Sequence, residues 1–254
     1  MIHFIMNFKK SFSIILSLFI AVVMNAQISY PVKTLTTKDG TPIKITLFKH
    51  ASLAIEYRGL EIYVDPVTSV AGTEINYTDM PKADYILVTH EHGDHLDKLA
   101  IEELSKPTTE IILNATSEKM LGKGKIMANN QTMTLKDGIV LESVAAYNTT
   151  PGREKFHPKG NSNGYILNFD GIRVYIAGDT EDIPEMAQIK NIDLAFLPVN
   201  QPYTMTVEQA EKAALMIRPK ILIPYHFGNT PVDQLKEKLD NDKSGIDVEL
   251  YPME

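Results

Sequence analysis

The chain has 254 residues, 44% of them hydrophobic, enough apolar material for a sizeable core. Its 32 acidic residues outnumber 25 basic ones, for a formal net charge of −7, which argues against a broad electrostatic surface for nucleic acid. Cysteine is absent, so neither a disulfide nor a lipid-linked cysteine can form.

From the start of the chain, Lys9 and Lys10 precede an apolar run from Phe12 to Met24 that ends in Asn25-Ala26 before Gln27. This is the pattern of a secretory signal peptide over residues 1–26, which leaves one domain over 27–254. The apolar stretch of about thirteen residues is shorter than the roughly twenty a spanning helix needs. No stable membrane anchor is therefore expected, an uncleaved anchor being the alternative, and the mature protein is expected to be periplasmic or secreted. Beyond it, β-branched and aromatic runs predict strands over Ile43–Phe48, Leu53–Tyr57, Glu61–Asp65 and Tyr85–Thr89, with Arg58-Gly59 as a tight hairpin turn. A helix over Lys98–Leu104, a strand over Ile111–Asn114 and a helix over Ser117–Leu121 follow. The second half offers strands over Ile139–Tyr147, Tyr165–Phe169 and Val174–Ala177, with Asp170-Gly171 as another hairpin turn, and a helix start around Asp182–Met186. Then come a strand over Leu194–Val199, a helix over Thr206–Arg218, a strand over Ile221–Tyr225 and a helix over Val232–Leu239. Thr206 with Gln209 fits a capping box, and Pro219 ends the longest helix. Two strand-rich halves, each with helices, point to an α/β (α+β) domain of two packed mixed sheets covered by helices.

Directly after the strand Tyr85–Thr89, residues 89–97 read Thr-His-Glu-His-Gly-Asp-His-Leu-Asp, so three of the seven histidines fall in six positions with an aspartate. Imidazole and carboxylate are ligands shared by zinc, manganese and iron. His90 and His92 point the same way while the chain stays extended. Gly93 then permits a sharp turn, so Asp94 and His95 can face a second ion beside the first.

This run resembles the signature of the metallo-β-lactamase-fold hydrolases, and the likeness covers roughly residues 43–251. The stretch Leu197–Met205, with the helix and strand after it, is similar to the branch containing ascorbate-phosphate lactonases and N-acyl-phosphatidylethanolamine phospholipase D. The resemblance implies an αββα sandwich of two mixed β-sheets flanked by helices. It also implies that Asp179, after Val174–Gly178, bridges two divalent metal ions, and that His226, after Ile221–Tyr225, completes the second site. Zinc is the first expectation, with manganese or iron as alternatives. The expected chemistry is hydrolysis of an ester-type bond, phosphodiester or lactone, by a hydroxide held between the two ions, with Asp94 steering its proton.

One position departs from the family. A third histidine for the first metal is expected near the end of a strand, where this chain has Asn148 after Ala146-Tyr147. His157 is the only histidine between His95 and His226 and is the expected ligand, its loop from Pro151 to Gly164 being rich in glycine, proline and asparagine. Asn148 itself, water, or a site of two histidines plus Asp179 are the alternatives. The missing histidine also keeps open a non-catalytic metal-binding or sensing protein on the same fold, and the family likeness keeps open a β-lactam hydrolase. Tyr203 is placed to contact a developing oxyanion. Arg153, Lys155 and Lys159 crowd the His157 loop and would suit a small, anionic substrate. His50 and Asp65 lie at the ends of the first strands, where ordinary strand-end polar residues are the first expectation and lining of the metal cleft beside the ligands is the alternative.

Overall fold

The computed structural model describes residues 30–254 except Ala71, so the expected signal segment over 1–26 lies outside the described residues. The first half runs β1 (Val32–Thr36), β2 (Pro42–Leu47), β3 (Leu53–Tyr57), β4 (Leu60–Val64), a small ribbon of β5 (Ser69–Val70) and β6 (Thr73–Glu74), β7 (Tyr85–Leu87), α1 (Lys98–Leu104), β8 (Glu110–Leu113), α2 (Ala115–Leu121) and β9 (Lys125–Ile126). The second half runs β10 (Thr132–Thr134), β11 (Val140–Ala146), β12 (Ser162–Phe169), β13 (Ile172–Ile176), β14 (Leu194–Pro198), α3 (Val207–Ile217), β15 (Ile221–Tyr225), α4 (Asp233–Asn241) and β16 (Asp247–Val248).

Each half makes one seven-stranded mixed sheet, and the two have the same plan. Four strands pair antiparallel in chain order, and three more extend the sheet in parallel: β1-β2-β3-β4-β7-β8-β9 in the first, β10 through β16 in the second. The alternation of strand side chains sorts the core into three layers. Ile43, Ile45, Ile55, Ile62 and Leu87 of the first sheet meet Leu141, Leu167, Val174, Phe196 and Ile223 of the second in the central layer. The opposite face of the first sheet, with Tyr63, Ile86 and Leu113, packs on Ala100, Ile101 and Leu104 of α1. The opposite face of the second, with Tyr175, Ala195 and Leu222, packs on Ala210, Ala214 and Ile217 of α3 and Leu235 and Leu239 of α4. This is the expected αββα sandwich, and β7 and β14 are buried along their whole lengths because both faces are covered.

Local signals explain most element ends. Arg58 (φ 51°) and Gly59 (φ 77°) are both left-handed, as are Asp170 (φ 51°) and Gly171 (φ 91°), which matches the strand twist in two-residue hairpins. Thr206 and Gln209 cap α3 reciprocally, and Pro219 follows its last turn. The helix expected at Asp182–Met186 is instead a short 3-10 turn over Pro184–Gln188. The loop expected to run to Gly164 ends earlier, since β12 begins at Ser162 to pair with Ala146. Among the described residues no helix is long and apolar enough to cross a membrane.

Candidate metal centre

The site forms where loops from both sheets meet at one end of the sandwich. Past β7 the chain continues extended through Thr89, whose backbone N–H donates to Asp65 Oδ1 at 2.8 Å and whose hydroxyl donates to Asp65 Oδ2 at 2.7 Å. The N–H groups of His95 and Leu96 then both donate to His92 O, at 2.9 and 2.8 Å, so the run closes into a turn that collects its side chains on one side. Asp65 is fully buried and left-handed (φ 45°), and its Oδ2 lies 2.8 Å from His95 Nδ1. A proton on that nitrogen leaves His95 Nε2 as a lone pair facing Asp179 Oδ1 at 3.4 Å.

Asp179 follows β13 and is 2% exposed. Its Oδ2 lies 3.3 Å from His157 Nε2, 3.3 Å from His226 Nε2 and 3.9 Å from His90 Nε2. Three groups of potential ligand atoms lie within 4.8 Å of one another: His90, His92 and His157; His90, His95 and Asp179; and His50, Asp94, His95 and His226. All seven residues expected as ligands, His90, His92, Asp94, His95, His157, Asp179 and His226, are thus brought together.

His157 reaches the cluster because its loop is tied down rather than loose. Asn161 Nδ2 donates to both oxygens of Glu91, at 2.8 and 3.0 Å, and Lys159 Nζ donates to Glu185 at 2.8 Å and to the Tyr147 hydroxyl at 3.0 Å. Asn148 has a different position from a ligand. Its amide nitrogen donates to the carbonyls of Tyr203 (2.7 Å) and Arg153 (3.3 Å), so its oxygen must turn toward His157 Nδ1, 3.3 Å away. Nδ1 then carries the hydrogen and Nε2 offers its lone pair to the cluster.

The geometry bears on two further readings. His50 and Asp65 are not ordinary strand-end residues: Asp65 holds His95, and His50 Nε2 lies 3.2 Å from Asp94 Oδ2. The loop cations are also largely engaged within the protein: Arg153 donates to Gln201 and lies 3.9 Å from Glu181, and Lys159 pairs with Glu185, while Lys155 lies over the Phe156 ring at 5.2 Å. The cavity over the cluster, about 240 Å³, is lined by Phe156, Asn200 and Tyr203 together with cluster residues, and by no lysine or arginine. Tyr203 is 47% exposed and packs edge-on against Phe156 at 5.1 Å.

The electrostatics of the cluster are mutually dependent. Burial drives the His90 and His92 imidazoles toward their neutral, ligand-competent form, helped by the neighbouring histidines. Burial also opposes charge on Asp179 and on Asp94, but His226 and His95 hold Asp179, and His226 and His50 hold Asp94, well below the usual carboxylate range. Against burial, Asp179 raises His226 to about 9. His95 Nε2, His157 Nε2, His226 Nε2 and Asp179 Oδ1 are buried with no hydrogen-bond partner, and all belong to the cluster. Four orphaned donor atoms of imidazole and carboxylate converging on one space are what divalent first-row ions require, so the residues fit a metal centre.

A family model described as a beta-lactamase superfamily domain matches residues 44–226. The chain belongs to this superfamily. A UPF0173 metal-dependent hydrolase of Archaeoglobus fulgidus is 31% identical over 221 residues, covering 82% of this chain and 94% of that protein. Another from Flavobacterium johnsoniae is 35% identical over 196 residues, covering 73% and 84%. Among solved structures, a protein from Parabacteroides distasonis named as a metal-dependent hydrolase is 55% identical, with a TM-score of 0.85 over 89% of this chain and all of that one. The metallo hydrolase Igni18 of Ignicoccus hospitalis is 25% identical with a TM-score of 0.67, covering 82% and 94%. This β-lactamase superfamily chain is accordingly a metal-dependent hydrolase with a metallo-β-lactamase fold.

The turn that delivers Asp179 requires a glycine. Gly178 is left-handed (φ 65°), and a Cβ there would stand 2.7 Å from Asn163 O and 3.1 Å from Thr89 Cβ. Gly178→Ala should therefore lose on the order of 3 kcal/mol of stability by chemical denaturation of metal-free protein. An unchanged denaturation midpoint would show that the turn before Asp179 has room to relax.

Proposed function

We propose that His90, His92 and His157 hold one divalent ion, that Asp94, His95 and His226 hold a second, and that Asp179 is shared between them. The observation that carries this reading is Asp179, whose two oxygens face histidines of both groups while one of them lacks any hydrogen-bond partner. Zinc is the first choice, and manganese and iron suit the same donors. When bound, the two ions supply Lewis acidity that draws the pKa of water from about 16 toward 7 and polarises the substrate's oxygen. Asp94 keeps its charge at the cavity mouth, where its carboxylate orients a water and receives its proton. Asn200 and Tyr203, which also line the cavity, offer an amide and a hydroxyl for charge developing on the substrate's oxygen. Phe156 and Tyr203 shield the reacting atoms from bulk water.

The substrate we propose is a small ester-type molecule. The likeness to ascorbate-phosphate lactonases and N-acyl-phosphatidylethanolamine phospholipase D supports a lactone or a phosphodiester. Beyond the cluster itself the cavity is lined by Phe156, Asn200 and Tyr203 and by no lysine or arginine to pair with a phosphate, which favours the lactone. His157 Nε2, 3.3 Å from Asp179, supports the catalytic reading over a non-catalytic metal-binding protein, because it offers an imidazole that Asn148 does not.

Reconstituted protein should contain two divalent ions per chain by elemental analysis, and a content that never exceeds one would remove the shared-carboxylate reading. Given a panel of lactones, phosphodiesters and β-lactams, the loaded protein should show its highest kcat/KM on a lactone. A preference for phosphodiesters would overturn the choice of substrate, and no turnover of any would overturn the ester reading. For the N-terminal segment we propose export with cleavage near Ala26, supported by Lys9-Lys10 and the apolar run after them. Mass spectrometry of the native protein should find a start near Gln27, and an intact Met1 start would defeat it.

A further inference from the structure

His50 and Glu254 are separated by 204 residues yet meet beside Asp94. The His50 imidazole is 7% exposed, with each ring nitrogen facing a carboxylate: Nε2 lies 3.2 Å from Asp94 Oδ2, and Nδ1 lies 3.3 Å from Glu254 Oε2. Glu254 is itself anchored, because its Oε1 accepts from the backbone N–H of Phe227 at 2.7 Å. The backbone repeats the connection. His50 N–H donates to Met253 O, and His226 N–H donates to His50 O at 3.1 Å. His50 (φ 59°) and His226 (φ 46°) are both left-handed, and their rings lie 3.7 Å apart. Outside a tight hairpin turn, that conformation costs energy which the surrounding contacts offset. Here three separate segments meet at one point to do so.

We propose that Glu254 and His50 form a positioning pair that holds Asp94 from behind and so sets the affinity and geometry of the second ion site. This rests on the reading that Asp94, His95, His226 and Asp179 hold that ion. Side chains that orient a ligand typically contribute ten- to a hundredfold in metal affinity. Asp94 has particular need of such support. Its side chain is 41% exposed, while those of His95, Asp179 and His226 are 0%, 3% and 3%, so packing alone restrains it least.

The pair is tested by stepwise cobalt(II) titration of wild type, His50→Ala, Glu254→Ala and Glu254→Gln, reading the two affinities and the visible absorption of the second ion. Glu254→Gln keeps an oxygen for the Phe227 N–H and should leave the melting temperature of metal-free protein unchanged. All three variants should weaken the second ion ten- to a hundredfold, alter its absorption band and spare the first ion, with Glu254→Gln the mildest. Wild-type affinities and spectra in Glu254→Gln and Glu254→Ala would overturn the pair. If His50→Ala alone then lost the second ion, His50 would be a direct ligand. Equal weakening of both ions together with a lower metal-free melting temperature in Glu254→Gln would also overturn it, making the contact structural. A wild type that takes fewer than two ions would overturn the underlying two-ion reading instead, and the pair with it.

Discussion

Asp179→Ala should abolish both ion sites at once and lower hydrolytic activity by roughly a thousandfold or more, equivalent to about 4 kcal/mol of lost transition-state stabilisation. The expectation follows from its geometry. No other described side chain faces His157 and His226 through one oxygen, at 3.3 Å each, and His95 through the other, at 3.4 Å. Its removal also withdraws the one buried negative charge that faces histidines of both groups, and with it the direct attraction for a bound cation. Asp179→Asn separates the two contributions, since it keeps the volume and one oxygen but not the charge. Elemental analysis and activity on the preferred ester would measure the effect. Retention of two ions by Asp179→Ala would mean that the histidine groups bind independently of it.

His157→Ala should release the ion beside His90 and His92, which has lost an imidazole, and leave the other, with activity falling at least a hundredfold. Asn148→Ala should have a smaller effect, about tenfold in affinity for the same ion, because it removes only the acceptor that turns His157. The double variant should then be no worse than His157→Ala alone, since Asn148 acts through His157. The reverse ranking, with Asn148→Ala the more damaging, would make the strand-end amide the ligand and return His157 to a structural role.

The parts of the molecule legible in its sequence are those with local causes. Strands β3 and β15 and helix α1 fall where the β-branched runs and the apolar periodicity end, and the hairpin at Arg58-Gly59 follows from the conformations those residues tolerate. The histidine run is legible because its chemistry is concentrated in six positions. Asp179 and His226 carry no such local signature and were reached through family likeness. Edge strand β1 is not legible because its residues Val32–Thr36 alternate between exposed and half-buried and include Lys33, Thr34 and Thr36, so its place is set by pairing with β2. His50 and Asp65 are ambiguous in the sequence, and Glu254 is illegible as a site residue, for a related reason. A single polar residue at a strand end looks the same whether it faces water or a ligand, and the partners that decide it come from 30 to 204 residues away.

The donor atoms of the centre come in nearly equal measure from the two seven-stranded halves, His90, His92, Asp94 and His95 from one and His157, Asp179 and His226 from the other. Ions seated there would tie the halves together in a chain that has no cysteine with which to do so. Such a join is indifferent to reductants and vulnerable to chelators, the opposite of the disulfide staples common among exported proteins. Its durability would be governed by competition for trace metal rather than by redox state.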